Sequence, residues 1–326
     1  MLRRVDATTA RAGLPRTRRA SDRIGDRLLY GLTGAASLVG LLIVGAIVWR
    51  VASGAWPAIT TFHLRFVWHN DWNPVTNRFG ARDLIIGTVV TSFGAMLIAA
   101  PLSIAIGLFL SEIAPRRLRG PVGTLIEMLA AVPSVVVGLW GIYVLAPFDA
   151  QHVQPILGRT LGWIPIFAHG QDKVESTVFT AIIVLTIMTI PITSSICREL
   201  FLGVPTELEE ASIGLGATRW EMVRTVVVPS VRGGVVAAVI LGLGRALGEA
   251  IAVTQVIGNF IPLKLSLFAP GDTLASRVAN QYQGAPSNLA VSSLIYLALI
   301  LLVITFIANF SAQRVVKRFE FGRGGG

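Results

Sequence analysis

Six stretches of this chain are apolar over about the length that crosses a bilayer, and their repetition constrains the fold more than any motif does. A helical crossing needs roughly 20 predominantly apolar residues. The stretches cover 28–48, 84–110, 122–146, 178–197, 233–256 and 289–310. A soluble chain would instead break its apolar residues into short runs and carry roughly 25% charged residues. Here 14% of the 326 residues are charged and 53% are hydrophobic. Backbone inside hydrocarbon must satisfy its own N–H and C=O groups, so each stretch is expected to be a helix. The fold class is therefore an all-α polytopic membrane protein with six transmembrane helices.

The net charge of +10 would suggest nucleic acid in a soluble protein, but its distribution argues against that partner. With the N-terminus cytoplasmic, nineteen Lys and Arg fall on the inner side and eight on the outer side. Basic residues concentrate in cytoplasmic loops, so both termini are expected inside. The inner set includes a basic arm, 1–27, and a basic tail, 311–326, flanking the six-helix transmembrane domain 28–310. The arm is expected to meet anionic lipid headgroups or to remain disordered. No cleavable leader is expected, because the first apolar stretch follows that arm and has the length of a span. The outer loops 51–83, 147–177 and 257–288 are long, while 198–232 faces the cytoplasm.

Chemistry at a catalytic centre finds no support. Cys197 has no partner for a disulfide, and His63, His69, His152 and His169 show no metal-ligand spacing. There is no phosphate-cradling Gly-x4-Gly-Lys-Ser/Thr loop and no nucleophile elbow. No cofactor is called for, and if the chain takes part in active transport the energy has to come from a partner or an ion gradient.

Charges inside spans are the sharpest local signal, since each costs about 2.5–3.5 kcal/mol at a helix centre on insertion scales. Arg245 and Glu249 lie four apart in the fifth stretch, which puts them on one face of an unbroken helix. Two readings fit: a structural ion pair, or a cation placed where an anion passes with the carboxylate holding it in position. Glu127 is a third intramembrane charge, near the inner end of its span, where it is expected to cap or snorkel. Pro133 and Pro191 are expected to kink their helices.

Between the fourth and fifth spans lies a polar segment, 205–229, that reads as helix, glycine break, helix. It contains Glu210-Ala211-Ser212, then Gly216, then Val226, Val228 and Pro229. That spacing, on the cytoplasmic side, resembles the EAA loop of ABC-importer permeases, with Ser212 in place of the usual alanine. Further stretches are similar to phosphate-specific transport permeases of the C type (PstC-like). They include Trp72-Asn73-Pro74-Val75, Ala131-Val132-Pro133-Ser134, Arg245-Ala246-Leu247-Gly248-Glu249-Ala250 and Ala269-Pro270-Gly271-Asp272-Thr273. Ala250 departs from the threonine common in that type.

The resemblance implies an ABC type I importer permease fold whose coupling loop, 205–229, docks on an ATPase, with Glu210, Ala211, Gly216 and Pro229 as its marker residues. It implies an A-type permease as partner, two ATPase subunits, an extracytoplasmic phosphate-binding protein and inorganic phosphate as cargo. Arg245 would contact the anion, with Glu249 as its orienting partner. The chain itself would be a permease in the cell membrane, not an enzyme. Sulfate, molybdate or tungstate permeases of the same superfamily share the Arg-Ala-Leu-Gly-Glu core and are the first alternative. An ion-driven secondary transporter is the second; it calls for broken helices in two inverted halves, and no convincing internal repeat is present.

Overall fold

The computed structural model describes residues 20–168 and 174–321; the arginines of 1–19, His169, Lys173 and Arg323 lie outside the described residues. Each expected span has its helix. Among the described residues six helices are long and apolar enough to cross a membrane: Arg27–Phe62, Arg82–Ile113, Ser134–Leu161, Val178–Leu202, Arg219–Gly248 and Asn288–Arg314. The chain divides into two units between Arg50 and Val51. In the first, the leading part of α1 (Ala20–Phe62) exposes every side chain from Arg27 to Arg50. A helix that is apolar on all sides and packed on none of them is what a lipid environment stabilises.

The second unit is built around α8 (Val178–Leu202), the most buried of the spanning helices. Its main neighbour is α3 (Arg82–Leu108), which continues through a wide π turn at Phe109–Ile113. Without a hydrophobic effect between helices in lipid, close approach through small residues supplies the attraction. Gly107 of α3 shows this: a Cβ there would come 2.9 Å from the Cβ of Cys197, so the α3 backbone lies directly against α8. The cysteine is accordingly a buried packing residue.

Two elements differ from the sequence expectation. The third span does not run over 122–146 around a kink. An amphipathic α4 (Arg116–Ala130) ends at Ala131, and α5 (Ser134–Trp140) starts afresh after Pro133. Pro133 cannot donate into the ladder, and it biases Val132 away from helical geometry, so the helix breaks outright. From Ser134 the chain stays helical to Leu161, through α6 (Ala146–Phe148) and α7 (Gln154–Leu161) joined by π turns. Much of the expected loop 147–177 is therefore helix. Two of its polar residues are buried: Asp149 accepts hydrogen bonds from Gln154 Nε2 (3.0 Å) and from Thr180 Oγ1 of α8 (2.8 Å).

The second difference is at the fifth span. After α9 (Thr206–Gly214), α10 (Arg219–Met222) runs through a π turn at Val223–Val227 into α11 (Val228–Gly248). There the helix stops, and a separate short α12 (Ile251–Val256) follows. The remaining elements are α2 (Arg65–Trp68), a hairpin of β1 (Trp72–Asn73) with β2 (Arg78–Phe79), α13 (Leu274–Gln281) and α14 (Asn288–Phe321).

Three apolar clusters stack along the second unit. One joins Phe66, Phe79, Leu84, Leu274 and Leu294 at the hairpin end. The middle cluster joins Ala95, Leu185 and Val253, and the third joins Phe201, Met222 and Val227 at the α9 end.

Candidate functional site

Arg245 sits in the last turn of α11 and Glu249 in the break that follows it. The expectation of a shared face on an unbroken helix is corrected here. Glu249 has extended backbone, ψ 119°, as the C-terminal cap of α11. Its carboxylate nevertheless reaches both ways across the break. Oε2 lies 3.9 Å from Arg245 Nη2, an ion pair too long for a hydrogen bond. Oε1 accepts a long 3.5 Å bond from the Ala252 N–H, at the start of α12. The chain tolerates the break because one side chain ties its two ends together.

The Arg245 side chain is 37% exposed against 10% for Glu249, so the guanidinium is the open member of the pair. It faces a cavity of about 360 Å³ walled by Leu129 and Ala130 of α4, Val136 and Trp140 of α5, and Met188 of α8. The break at Pro133 is what brings both α4 and α5 to this cavity. Arg245 Nε is buried and has no hydrogen-bond partner. Arg245 is the one charged residue among those lining this otherwise apolar cavity.

The segment 205–229 folds as the sequence implies. Gly216 turns the chain at φ +94°, a left-handed conformation that glycine adopts without strain. A capping box starts α10: Thr218 Oγ1 accepts from the Glu221 N–H at 3.3 Å, and the Thr218 N–H donates to Glu221 Oε2 at 2.8 Å. Glu210 and Ala211 are exposed on α9, which has no buried residue at all. Around them Leu208, Ile213, Leu215 and Trp220 expose apolar surface, Leu215 to 91%. Pro229 lies apart from this group, at the second position of α11. Its missing N–H falls just after the π turn, where the hydrogen-bond ladder is already shifted.

Behind α9 a cavity of about 630 Å³ is lined by Glu112, Arg119, Phe201, Glu209, Ile213 and Trp220 among others. Burial pushes the Glu209 carboxyl up; Glu112 and Glu210 add to the shift, and Arg119 opposes it. From Arg219 to Arg245 the chain is one rod of α10, π turn and α11, about 39 Å long at 1.5 Å per residue. Trp220, at the exposed segment, and the open arginine thus lie near the two ends of one continuous helical stretch.

Sequence reasoning missed two ion pairs. Glu127 does not snorkel free: Arg198 Nη1 of α8 lies 3.8 Å from its Oε1, tying α4 to α8. Arg277, counted among outer-loop cations, is buried and paired with Asp272. Burial pushes the Asp272 carboxyl up despite this partner and despite bonds from Thr273 and Ser276. The only sequence signal was Thr273 in a capping position before α13, whose hydroxyl accepts from the Ser276 N–H.

Residues 99–321 match the family model of the binding-protein-dependent transport system inner membrane component. The chain is 42% identical over 306 residues to the phosphate transport system permease protein PstC of Pasteurella multocida, covering 93% of this chain and 95% of that one. It is 38% identical to PstC 2 of Mycobacterium tuberculosis, covering 90% and 92%. Among solved structures, a bacterial alginate ABC transporter in complex with an alginate-pentasaccharide-bound periplasmic protein superposes with TM-score 0.56 at 19% identity, over 91% of this chain and 98% of that one. A second structure, a bacterial ABC transporter involved in alginate import, gives 0.53 at 18% identity, over 88% and 99%. At such identities the likeness is one of fold, and that fold is the ABC importer permease. The chain belongs to the family of binding-protein-dependent transport system inner membrane components.

Proposed function

We propose that this chain is the permease subunit of an ATP-driven ABC importer that carries inorganic phosphate across the cell membrane. The observation that carries the reading is the 42% identity to a phosphate transport permease over nearly the whole of both chains. The site supports it chemically. Arg245 offers the anion a cation already half-neutralised by Glu249, and a translocation contact has to release its ion as well as bind it.

In this reading both termini are cytoplasmic, with the basic arm 1–27 and tail 311–326 on the inner lipid surface. The 205–229 segment, through Glu210, Ala211 and Gly216, then meets one of two ATPase subunits, with Trp220 and Leu215 as its apolar contacts. The hairpin end faces an extracytoplasmic phosphate-binding protein, and an A-type permease completes the pore; nucleic acid has no part. ATP-driven movement of α9 and α10 is transmitted along the rod through Pro229 to Arg245, and the cavity alternates between the two sides. The energy-supplying hydrolysis belongs to the ATPase, so the chain itself catalyses no reaction.

Uptake of radiolabelled phosphate by vesicles containing all the subunits tests this. Uptake is expected only with ATP. Uptake that persists without ATP contradicts an ATP-driven importer, and full competition by sulfate contradicts phosphate as the cargo.

A further inference from the structure

A second cationic cavity lies at the hairpin end, well away from Arg245 in sequence. It has a volume of about 370 Å³ and is lined by Arg65, His69, Asp71 and Arg78 over aromatic side chains. Phe66 and Phe79 are almost wholly buried, and Phe62 lies 5.9 Å from each ring centroid, so the floor is fixed. Arg65 and Arg78 are exposed and make no ion pair among the described residues. His69 is oriented by its Nδ1, which donates to the Arg65 carbonyl at 2.9 Å, leaving Nε2 for another partner. Two guanidiniums with no ion pair among the described residues, against one carboxylate, Asp71, leave the cavity net positive. Each guanidinium fork matches two oxygens of a phosphate group. The cavity lies beside Phe62, where α1 ends, and shares the 63–81 connection that leads into α3 at Arg82.

We infer that the Arg65–His69–Arg78 pocket binds a tetrahedral phosphate group, either free inorganic phosphate or the headgroup of an anionic phospholipid. The inference rests on the proposed orientation only for the side from which the ligand arrives. Arg65 and Arg78 hold the oxygens; His69 Nε2 hydrogen-bonds the phosphate group, and Asp71 keeps the binding weak enough to exchange.

The test uses the full-length chain in phosphatidylcholine nanodiscs, with two probes: radiolabelled inorganic phosphate by equilibrium binding, and phosphatidylglycerol by native mass spectrometry. Arg65→Ala/Arg78→Ala is expected to weaken binding of at least one probe by about tenfold or more. Loss for inorganic phosphate alone identifies a free-ion site, and loss for the lipid alone identifies a headgroup site. Arg78→Glu, a single change on an exposed hairpin position, is expected to act in the same direction if the double variant fails to fold. Unchanged binding of both probes in either folded variant overturns the proposal. Arg245→Ala separates this pocket from the transport reading, because it is expected to remove uptake and leave binding here intact. Asn77→Cys, at the hairpin turn, reports the orientation separately by labelling with a membrane-impermeant thiol reagent.

Discussion

The two ends of the second unit are built on opposite principles. At the hairpin end, beneath the exposed Arg65 and Arg78, a set of polar groups is buried and paired. Asp83 accepts from the Leu263 N–H at 2.9 Å, Thr88 Oγ1 accepts from the Leu274 N–H at 2.9 Å, and Asp272 pairs with Arg277. Arg277 also lies 5.7 Å from the Trp72 ring centroid, and Trp72 Nε1 donates to Gln281 at 2.7 Å. At the α9 end, polar groups are outside and Leu208, Ile213, Leu215 and Trp220 are outside with them. The first end holds a geometry by itself, whereas the second leaves apolar surface open, which the proposed ATPase contact would cover. Burying charge is worthwhile only where position has to be exact, and leaving Trp220 and Leu215 in water is worthwhile only where something covers them.

The largest expected effect is on transport: Arg245→Ala should abolish phosphate uptake while leaving the protein folded and assembled, as read by uptake and by gel filtration. Next is stability at the hairpin end. Asp272→Ala strands a buried guanidinium and should cost about 3–5 kcal/mol, seen as a lower thermal midpoint of the purified protein. A midpoint equal to wild type would break the contrast, because that end would then not be the rigid one. Trp220→Ala should do the reverse, costing about 2 kcal/mol or more of ATPase association in a pull-down titration, with the thermal midpoint unchanged. Gly216→Val forces a β-branched residue to φ +94° and should cost about 1–3 kcal/mol locally, lowering ATP-coupled uptake more than global stability. Smallest is Thr218→Ala, which removes a helix cap and should cost about 1 kcal/mol, measured by hydrogen exchange confined to α10.

The sequence made some of this contrast readable. Spans are legible because lipid imposes one rule along their whole length, so 178–197 and 289–310 fall inside helices α8 and α14. The EAA-like spacing was readable because Gly216 and the Thr218–Glu221 box are local devices. The break after Gly248 was not, since neither Glu249 nor Ala250 is a helix breaker, and only the bond to Ala252 shows why the chain restarts there. The buried pairs at the hairpin end were also hidden. Polar residues between spans look like surface loop until long-range packing covers them, as α3 does with Asp272, whose carbonyl oxygen lies 2.0 Å from where a Gly87 Cβ would be. The same holds for Asp149, which an expected loop made look exposed.

The central claim is that the exposed α9 end receives force and the open guanidinium at the far end of the same rod uses it. The most direct test measures phosphate uptake and ATPase association together, in vesicles carrying the complete importer with Arg245→Ala or Trp220→Ala. The account predicts that Arg245→Ala loses uptake and keeps ATPase association, while Trp220→Ala loses both. Wild-type uptake in Arg245→Ala, or undiminished ATPase association in Trp220→Ala, would contradict it.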